Sequence, residues 1–363
     1  MGIADIRRKN QLDFLAGGCE IEIGDPDKLP LAISEFINID GGSEYVEKHI
    51  RSGLTADVYK LKINGGYWNL KKKRGEILVK NIDGQTSFLN EIQRRRDFER
   101  LKKVNPHAYS GIVDTAYASL NGGIILSPWI EGGHIKKYTR EIFENLFNTL
   151  YNIDIAGFFE YDLCPGNLLI QNDGSVRLFD FGYMYPYDPL NEYNADGREI
   201  PLFHPAERFE SRNFMQYLMD TEEDSGIDLA LSEYEMEKNI ALKYYHKKFG
   251  WLKENNAASD ILAWMLNFIK LWETGLSSLD ELKKLYDMES FRSYVLDIHD
   301  DVSGQSCTRE TLKKTERVLS KIGNGYKCLY ENRCFFWGDE KLNQAELLGK
   351  YTEIKKRIIE YQL

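Results

Sequence analysis

Residues 159–182, FEYDLCPGNLLIQNDGSVRLFDFG, set Asp162, Asn167 and Asp180 around the apolar run Asn-Leu-Leu-Ile and close on a glycine. The two aspartates stand eighteen positions apart. NLLIQNDGSVRLFDFG reads as a hairpin: an apolar strand, an Asn172-Asp173-Gly174 turn and a second strand, VRLFDF. A hairpin brings its two ends together, so three oxygen-bearing side chains converge at one edge. Two carboxylates and an amide oxygen are hard ligands suited to Mg²⁺, which takes one or two carboxylates and completes its shell with substrate phosphates and water.

The rest of the chain limits what such a site can serve. With 363 residues, 42% of them apolar, it is long enough for two domains or one two-lobed enzyme around a large core. A formal charge of −10 argues against binding nucleic acid or an anionic membrane. The basic runs at 71–74 and 94–96 read as solvated faces of a hairpin and a helix. Five scattered cysteines, with no Cys-x-x-Cys pair, indicate neither a disulfide framework nor a zinc site and fit a reducing compartment. No signal-peptide core or run of about 18 apolar residues is present, and Ile6 stands where a myristoylation motif wants Ser or Thr. The expectation is a cytoplasmic protein with no membrane insertion.

Pattern divides the chain. Residues 1–43 read as an extension ending in Asp40-Gly41-Gly42. Strand-like stretches follow: YVEKHI, DVYKLKI and EILVKNI, the last two joined through Asn64-Gly65-Gly66 and Arg74-Gly75 as an enlarged hairpin with a basic tip. Residues 86–104 carry Phe88, Ile92, Arg95, Phe98 and Leu101 at helical spacing, with Thr86 or Ser87 as cap. GIVDTAY and GGIILSPWI are further strand candidates. Beyond them, 139–156, 226–249, 257–274, 278–297, 308–321 and 342–361 read as amphipathic helices. The fold class is α+β.

The quoted stretch resembles the catalytic and metal-binding loops of the protein kinase-like superfamily, in which Asp-x-x-x-x-Asn is followed by a hairpin and Asp-Phe-Gly. YDLCPGN is similar to the loops of kinase-like small-molecule phosphotransferases, whereas DFG is closer to protein kinases. The resemblance implies a bilobal fold: a small antiparallel-sheet lobe with one main helix over 44–131, a larger helical lobe over 132–304, and a helical extension over 305–363. It also implies ATP and Mg²⁺ as cofactors, Asp162 as the base orienting an acceptor hydroxyl, and Asn167 and Asp180 as metal ligands.

The upstream half bears the same likeness. RSGLTADVYKLKI resembles a nucleotide-covering loop, with Gly53 at its first glycine, Thr55 at the tip and Val58 packing on the base. Backbone amides hold phosphates in such loops, so a single glycine suffices if Thr55 adds its hydroxyl. EILVKNI resembles the strand that carries the phosphate-contacting lysine, which assigns that role to Lys80. Its carboxylate partner on helix 86–104 is Glu91, which matches the local wording, or Glu99, which matches the usual separation. Glu91 is narrowly preferred. GGIILSPWIEGG resembles the strand and hinge between lobes, with Ser127 at the inner wall of the pocket. Pro128, Trp129 and Ile130 form that hinge; Pro128 lacks an N–H, so the donor to adenine falls to Ile130.

Glu160-Tyr161-Asp162 stands where protein kinases have His-Arg-Asp, and Cys164 where they have a lysine. Without that arginine, activity would not require a phosphorylated activation loop. FHPAERFE resembles the end of an activation segment, in which Glu207 would pair with an arginine of the helical half. The resemblance thus implies an ATP-dependent kinase acting on a protein Ser/Thr or a small-molecule hydroxyl, the former favoured by DFG and the segment length. A nucleotide-binding pseudokinase and an AMP-transferase on the same fold are the alternatives.

Overall fold

The protein is described by a computed structural model covering residues 2–50 and 55–362. It is α+β, an antiparallel sheet region followed along the chain by a largely helical part. Two compact units, 1–201 and 202–363, divide it. No helix of the described residues is long and apolar enough to cross a membrane.

The first unit begins with α1 (Ile3–Ala16), β1 (Glu22–Gly24), α2 (Ile33–Asn38), β2 (Val46–Ile50), β3 (Ala56–Ile63) and β4 (Gly66–Lys73). It continues with α3 (Ile82–Val104), β5 (Tyr117–Ser119), β6 (Ile124–Pro128), β7 (Gly132–Gly133), α4 (Arg140–Ile155), β8 (Phe158–Glu160), β9 (Leu168–Gln171), β10 (Val176–Leu178) and β11 (Met184–Pro186). Six strands form one antiparallel sheet in the order β1-β5-β6-β4-β3-β2. Asn64 and Gly65, both at positive φ, make the two-residue turn from β3 to β4. That geometry matches the twist of the paired strands, and Asn-Gly is its strongest sequence signal.

The sheet is covered on both faces. Tyr59, Leu61, Ile63, Leu70, Leu126 and Tyr117 pack with Phe36 of α2 on one side. Ile23, Ala118 and Ile125 pack with Phe88, Leu89 and Ile92 of α3 on the other, joined by Phe14 and Leu15 of α1. Residues 1–43 therefore contribute a strand and two helices to this unit and are not a separate extension. Their contribution was illegible because a three-residue edge strand has too few positions to show a period.

Residues 76–82 do not form the expected strand. The strand following β3 is GYWNLKKK, and β4 is paired on both edges, by β3 and β6, which leaves EILVKNI no edge to join. The chain turns instead into α3, which starts four residues earlier than expected. Asn81 caps it, its side chain accepting the Gly84 N–H at 2.8 Å. GIVDTAY likewise yields strand only from Tyr117, with Ile112 making an isolated bridge to Leu178. The 168–178 hairpin is present as read, in the register Leu168↔Leu178 and Ile170↔Val176, with Gly174 at positive φ in its turn.

The second unit is helical: α5 (Pro205–Phe209), a π-helical turn (Glu210–Phe214), α6 (Met215–Ser225), α7 (Ile227–Glu254), α8 (Ser259–Gly275), α9 (Leu279–Gly304), α10 (Arg309–Glu331) and α11 (Gln344–Glu360). Helix α10 packs on α9 and α11 on α10, so 305–363 belong to the same compact body as the helices before them. The buried Lys238 is paired twice, lying 2.5 Å from both Glu210 and Glu289. Glu207 pairs with its own neighbour Arg208, which also donates to Asp300.

Candidate functional site

Strand β4 positions the central cation of the first unit. In the sheet register Lys71 lies opposite Val58 on β3 and Ile125 on β6, so its side chain leaves the sheet on the face covered by α3. There its ammonium lies 2.6 Å from Glu91 Oε2 and 2.7 Å from Asp180 Oδ1. Burial pulls the Lys71 pKa down, but Asp180 and Glu91 outweigh it and the result is raised above the ordinary lysine value. A buried ammonium is tolerable only when paired in this way.

Lys80 is therefore not the lysine that meets these carboxylates. It lies between β4 and α3, its side chain 53% exposed, 3.4 Å from Glu76. Of the two carboxylates proposed as partners, Glu91 is buried against Lys71. Glu99 is engaged elsewhere, accepting the Thr115 N–H at 3.1 Å. The run Lys-Lys-Lys-Arg at 71–74 looks like the tip of a hairpin, which hides Lys71 as a strand residue. A strand buried on both faces gives no clean alternation, and the Asn64-Gly65 turn already closes the hairpin.

The β9–β10 hairpin supplies the acidic side. Asn167 Nδ2 donates to the Asp162 carbonyl at 2.9 Å and to Asp162 Oδ2 at 3.3 Å, drawing the entering loop together. The Phe179 N–H donates to the Asn167 carbonyl at 3.2 Å, which ties the exit of the hairpin to its entrance. Asp180 follows in a left-handed conformation, φ 64°, which an aspartate tolerates better than most residues. Its side chain remains 37% exposed, with Oδ1 on Lys71 and Oδ2 without a partner among the described residues. Phe181 is buried against Phe98 of α3, 5.1 Å between ring centres. Gly182 approaches α3 so closely that an added Cβ would stand 3.1 Å from Ser87 Cβ.

Besides Lys71, four residues of the site carry no role expected from the sequence. Asn90 Nδ2 lies 3.0, 3.1 and 2.7 Å from the carbonyls of Phe181, Gly182 and Met184, binding the segment after the hairpin to α3. Arg95 donates from Nε and Nη2 to Glu91 Oε1 at 3.1 and 3.0 Å. Tyr161 donates its hydroxyl to Asp196 Oδ2 at 2.8 Å. Glu160 is buried at the end of β8, its Oε1 accepting the Asp162 N–H at 2.8 Å while Oε2 has no hydrogen-bond partner among the described residues. Burial pushes its carboxyl pKa well up, and the charges of Asp162, Asp180 and Glu91 add to the rise, opposed by the Asp162 N–H. Nothing in the tripeptide Glu160-Tyr161-Asp162 announces a buried acid.

At the end of β6, Ser127 is buried and its hydroxyl accepts from Arg95 Nη1 at 3.0 Å. Pro128 has no N–H, and the Trp129 N–H donates to the Tyr67 carbonyl at 3.1 Å. The Ile130 N–H makes no hydrogen bond among the described residues. Val58 and Thr55 are half-buried, the Thr55 carbonyl accepting the Arg74 N–H at 3.2 Å. Gly53 lies outside the described residues.

The oxygens fit a hard divalent cation. Asn167 commits its amide nitrogen to Asp162 and so presents Oδ1, while Asp180 presents Oδ2. Among the described residues no three His, Cys, Asp or Glu side chains are grouped to hold a metal. Oxygens of this kind are those that Mg²⁺ takes when it keeps water and phosphate oxygens in its shell. In comparison with known proteins, no family model matches the chain and no curated protein is found to be similar to it.

Proposed function

We propose that this chain is a Mg²⁺-dependent phosphotransferase of protein kinase-like, bilobal type, moving the γ-phosphoryl group of ATP to a hydroxyl acceptor. The observation that carries the reading is the Lys71 ammonium held between Glu91 and the aspartate of Asp-Phe-Gly, at 2.6 and 2.7 Å. A strand lysine, a helix glutamate and a DFG aspartate are the three groups that kinase chemistry requires together. On this reading Lys71 takes the role expected of Lys80, contact with the α- and β-phosphates.

The remaining parts follow from position. Ile130, whose N–H makes no hydrogen bond among the described residues, would offer it to the adenine edge, and the half-buried Val58 would border the base in front of Ser127. Asn167 and Asp180 would hold Mg²⁺, which supplies neutralisation of phosphate charge when bound. Asp162 orients the acceptor hydroxyl and takes its proton as the new O–P bond forms and the bond from the γ-phosphorus to the β–γ bridging oxygen breaks, leaving ADP. The Tyr161–Asp196 contact ties the segment after the hairpin without a phosphate. A protein Ser/Thr acceptor is favoured by the DFG wording and the segment length. The free cysteines suit a cytoplasmic setting.

Incubation with ATP, Mg²⁺ and candidate acceptors, followed by intact mass, tests the reading. A gain of about 80 Da on the acceptor is expected, a gain of about 329 Da would make the reaction AMP transfer, and nucleotide binding without any gain would make the chain a pseudokinase.

A further inference from the structure

Glu91 is shared between two cations. Its Oε2 faces Lys71, while its Oε1 accepts twice from Arg95, one helical turn further along α3. The Arg95 guanidinium is as buried as the carboxylate it holds, and its remaining nitrogen donates to Ser127 Oγ at 3.0 Å and Thr115 Oγ1 at 3.3 Å. Its plane also lies over the Phe181 ring, 5.5 Å from the centre. A rigid planar fork bound from the helix, from β6 and from the segment leading into β5 has one orientation available. Through it, Ser127, Arg95, Glu91 and Lys71 form one unbroken buried polar chain that ends on the partly exposed Asp180.

We infer that Arg95 is a positioning residue of the nucleotide site: by fixing Glu91 Oε1 it keeps Oε2 aimed at Lys71, so that the lysine stays between Glu91 and Asp180. The inference rests on the proposed function for its consequence, but its geometry is separate from it. A glutamate bound only to Lys71 can follow the lysine or rotate away about its own side-chain bonds, whereas one anchored at the other oxygen cannot. Ser127 completes the anchor because its small hydroxyl accepts the third side of the guanidinium where an aliphatic side chain would leave a buried N–H unpaired.

The test is a double-mutant cycle read by calorimetric titration of the full chain with Mg²⁺ and the non-transferable ATP analogue AMP-PNP, below the melting temperature of every variant. R95M should weaken binding about tenfold or more. In an E91Q background the same change should add no more than about twofold, since Arg95 acts through Glu91. R95K, which keeps the charge and one bond to Glu91, should recover part of the loss. Equal losses in both backgrounds, or folded R95M with unchanged affinity, would overturn the inference while leaving the proposed function intact. If R95M does not fold, R95K and R95K/E91Q complete the same cycle. Failure of the unmutated protein to bind AMP-PNP would overturn the nucleotide reading, and the inference with it.

Discussion

The Lys71 ammonium lies 2.6 Å from the Glu91 carboxylate, and the two residues are twenty positions apart in the chain. That separation joins the strand paired on both edges to the middle of the helix that covers it, and the other side of the same ammonium meets Asp180. Lys71→Met should therefore abolish Mg–ATP binding, whereas Lys80→Met should change neither affinity nor turnover. Loss of one partner of a buried ion pair costs about 3–5 kcal/mol; because Arg95 still compensates Glu91, the stability loss for Lys71→Met is expected near about 3 kcal/mol by urea unfolding. Equal effects of the two lysine substitutions on binding would contradict the assignment.

The helix carboxylates separate in the same manner. Glu91→Gln should depress Mg–ATP affinity and turnover, because the amide can neither balance Lys71 nor hold Arg95 as a carboxylate does. Glu99→Gln keeps an oxygen to accept the Thr115 N–H and should alter turnover less than about twofold, stability changing by about 1 kcal/mol or less. Steady-state kinetics on the two variants decides between them.

Glu160 makes stability depend on pH. Its carboxyl pKa is raised in the folded protein, so the folded state holds a proton that the unfolded chain has released. The contribution is fully present below the ordinary carboxyl value near 4.5 and is lost as pH rises through the folded value. Glu160→Gln retains an oxygen for the Asp162 N–H but cannot ionise. Its stability relative to the unmutated protein should increase from pH 4.5 upward, and urea unfolding of both proteins from pH 4.5 to 8 measures the difference. A constant difference across that range would show that Glu160 does not titrate as described.

Asn90 holds the segment after the hairpin through three carbonyls. Asn90→Ala removes these donors from a buried place and should destabilise the protein by about 1–3 kcal/mol. Hydrogen exchange should speed up in residues 181–186 more than in the sheet. Uniform acceleration across the first unit would point instead to a global loss of stability.

The hairpin and its three polar side chains were legible because their signals are local: an Asn-Asp-Gly turn, apolar flanks, and fixed spacing from Asp162 to Asn167 and Asp180. Strands β2, β3 and β6 and most of the long helices from 139 onward were legible by period, whereas β1, β4 and α6 (Met215–Ser225) were not. Lys71 was not, because both faces of β4 are covered, so Leu70 and Lys71 are buried side by side and the run Lys-Lys-Lys-Arg looks like solvated charge. EILVKNI misled by being apolar enough for a strand while its Asn81 was a helix cap. The clue that was present lay in the Asn64-Gly65 turn, which fixes the following eight residues as the partner strand and places Lys71 on it. Arg95 and Glu160 were invisible as site residues for a different reason: their roles arise from contacts across the fold, to Ser127 and to the surroundings of Asp162, that no sequence spacing encodes.

If Asp180 and Lys71 together bind a metal–nucleotide complex, thermal melting with ATP, with Mg²⁺ and with both will show it. Tm should rise only with both ligands, by an amount corresponding to about 2.7 kcal/mol when the ligand is at a hundredfold excess over Kd, and the rise should disappear in Asp180→Ala. An unchanged Tm at saturating Mg–ATP, or an equal rise in Asp180→Ala, would contradict that reading.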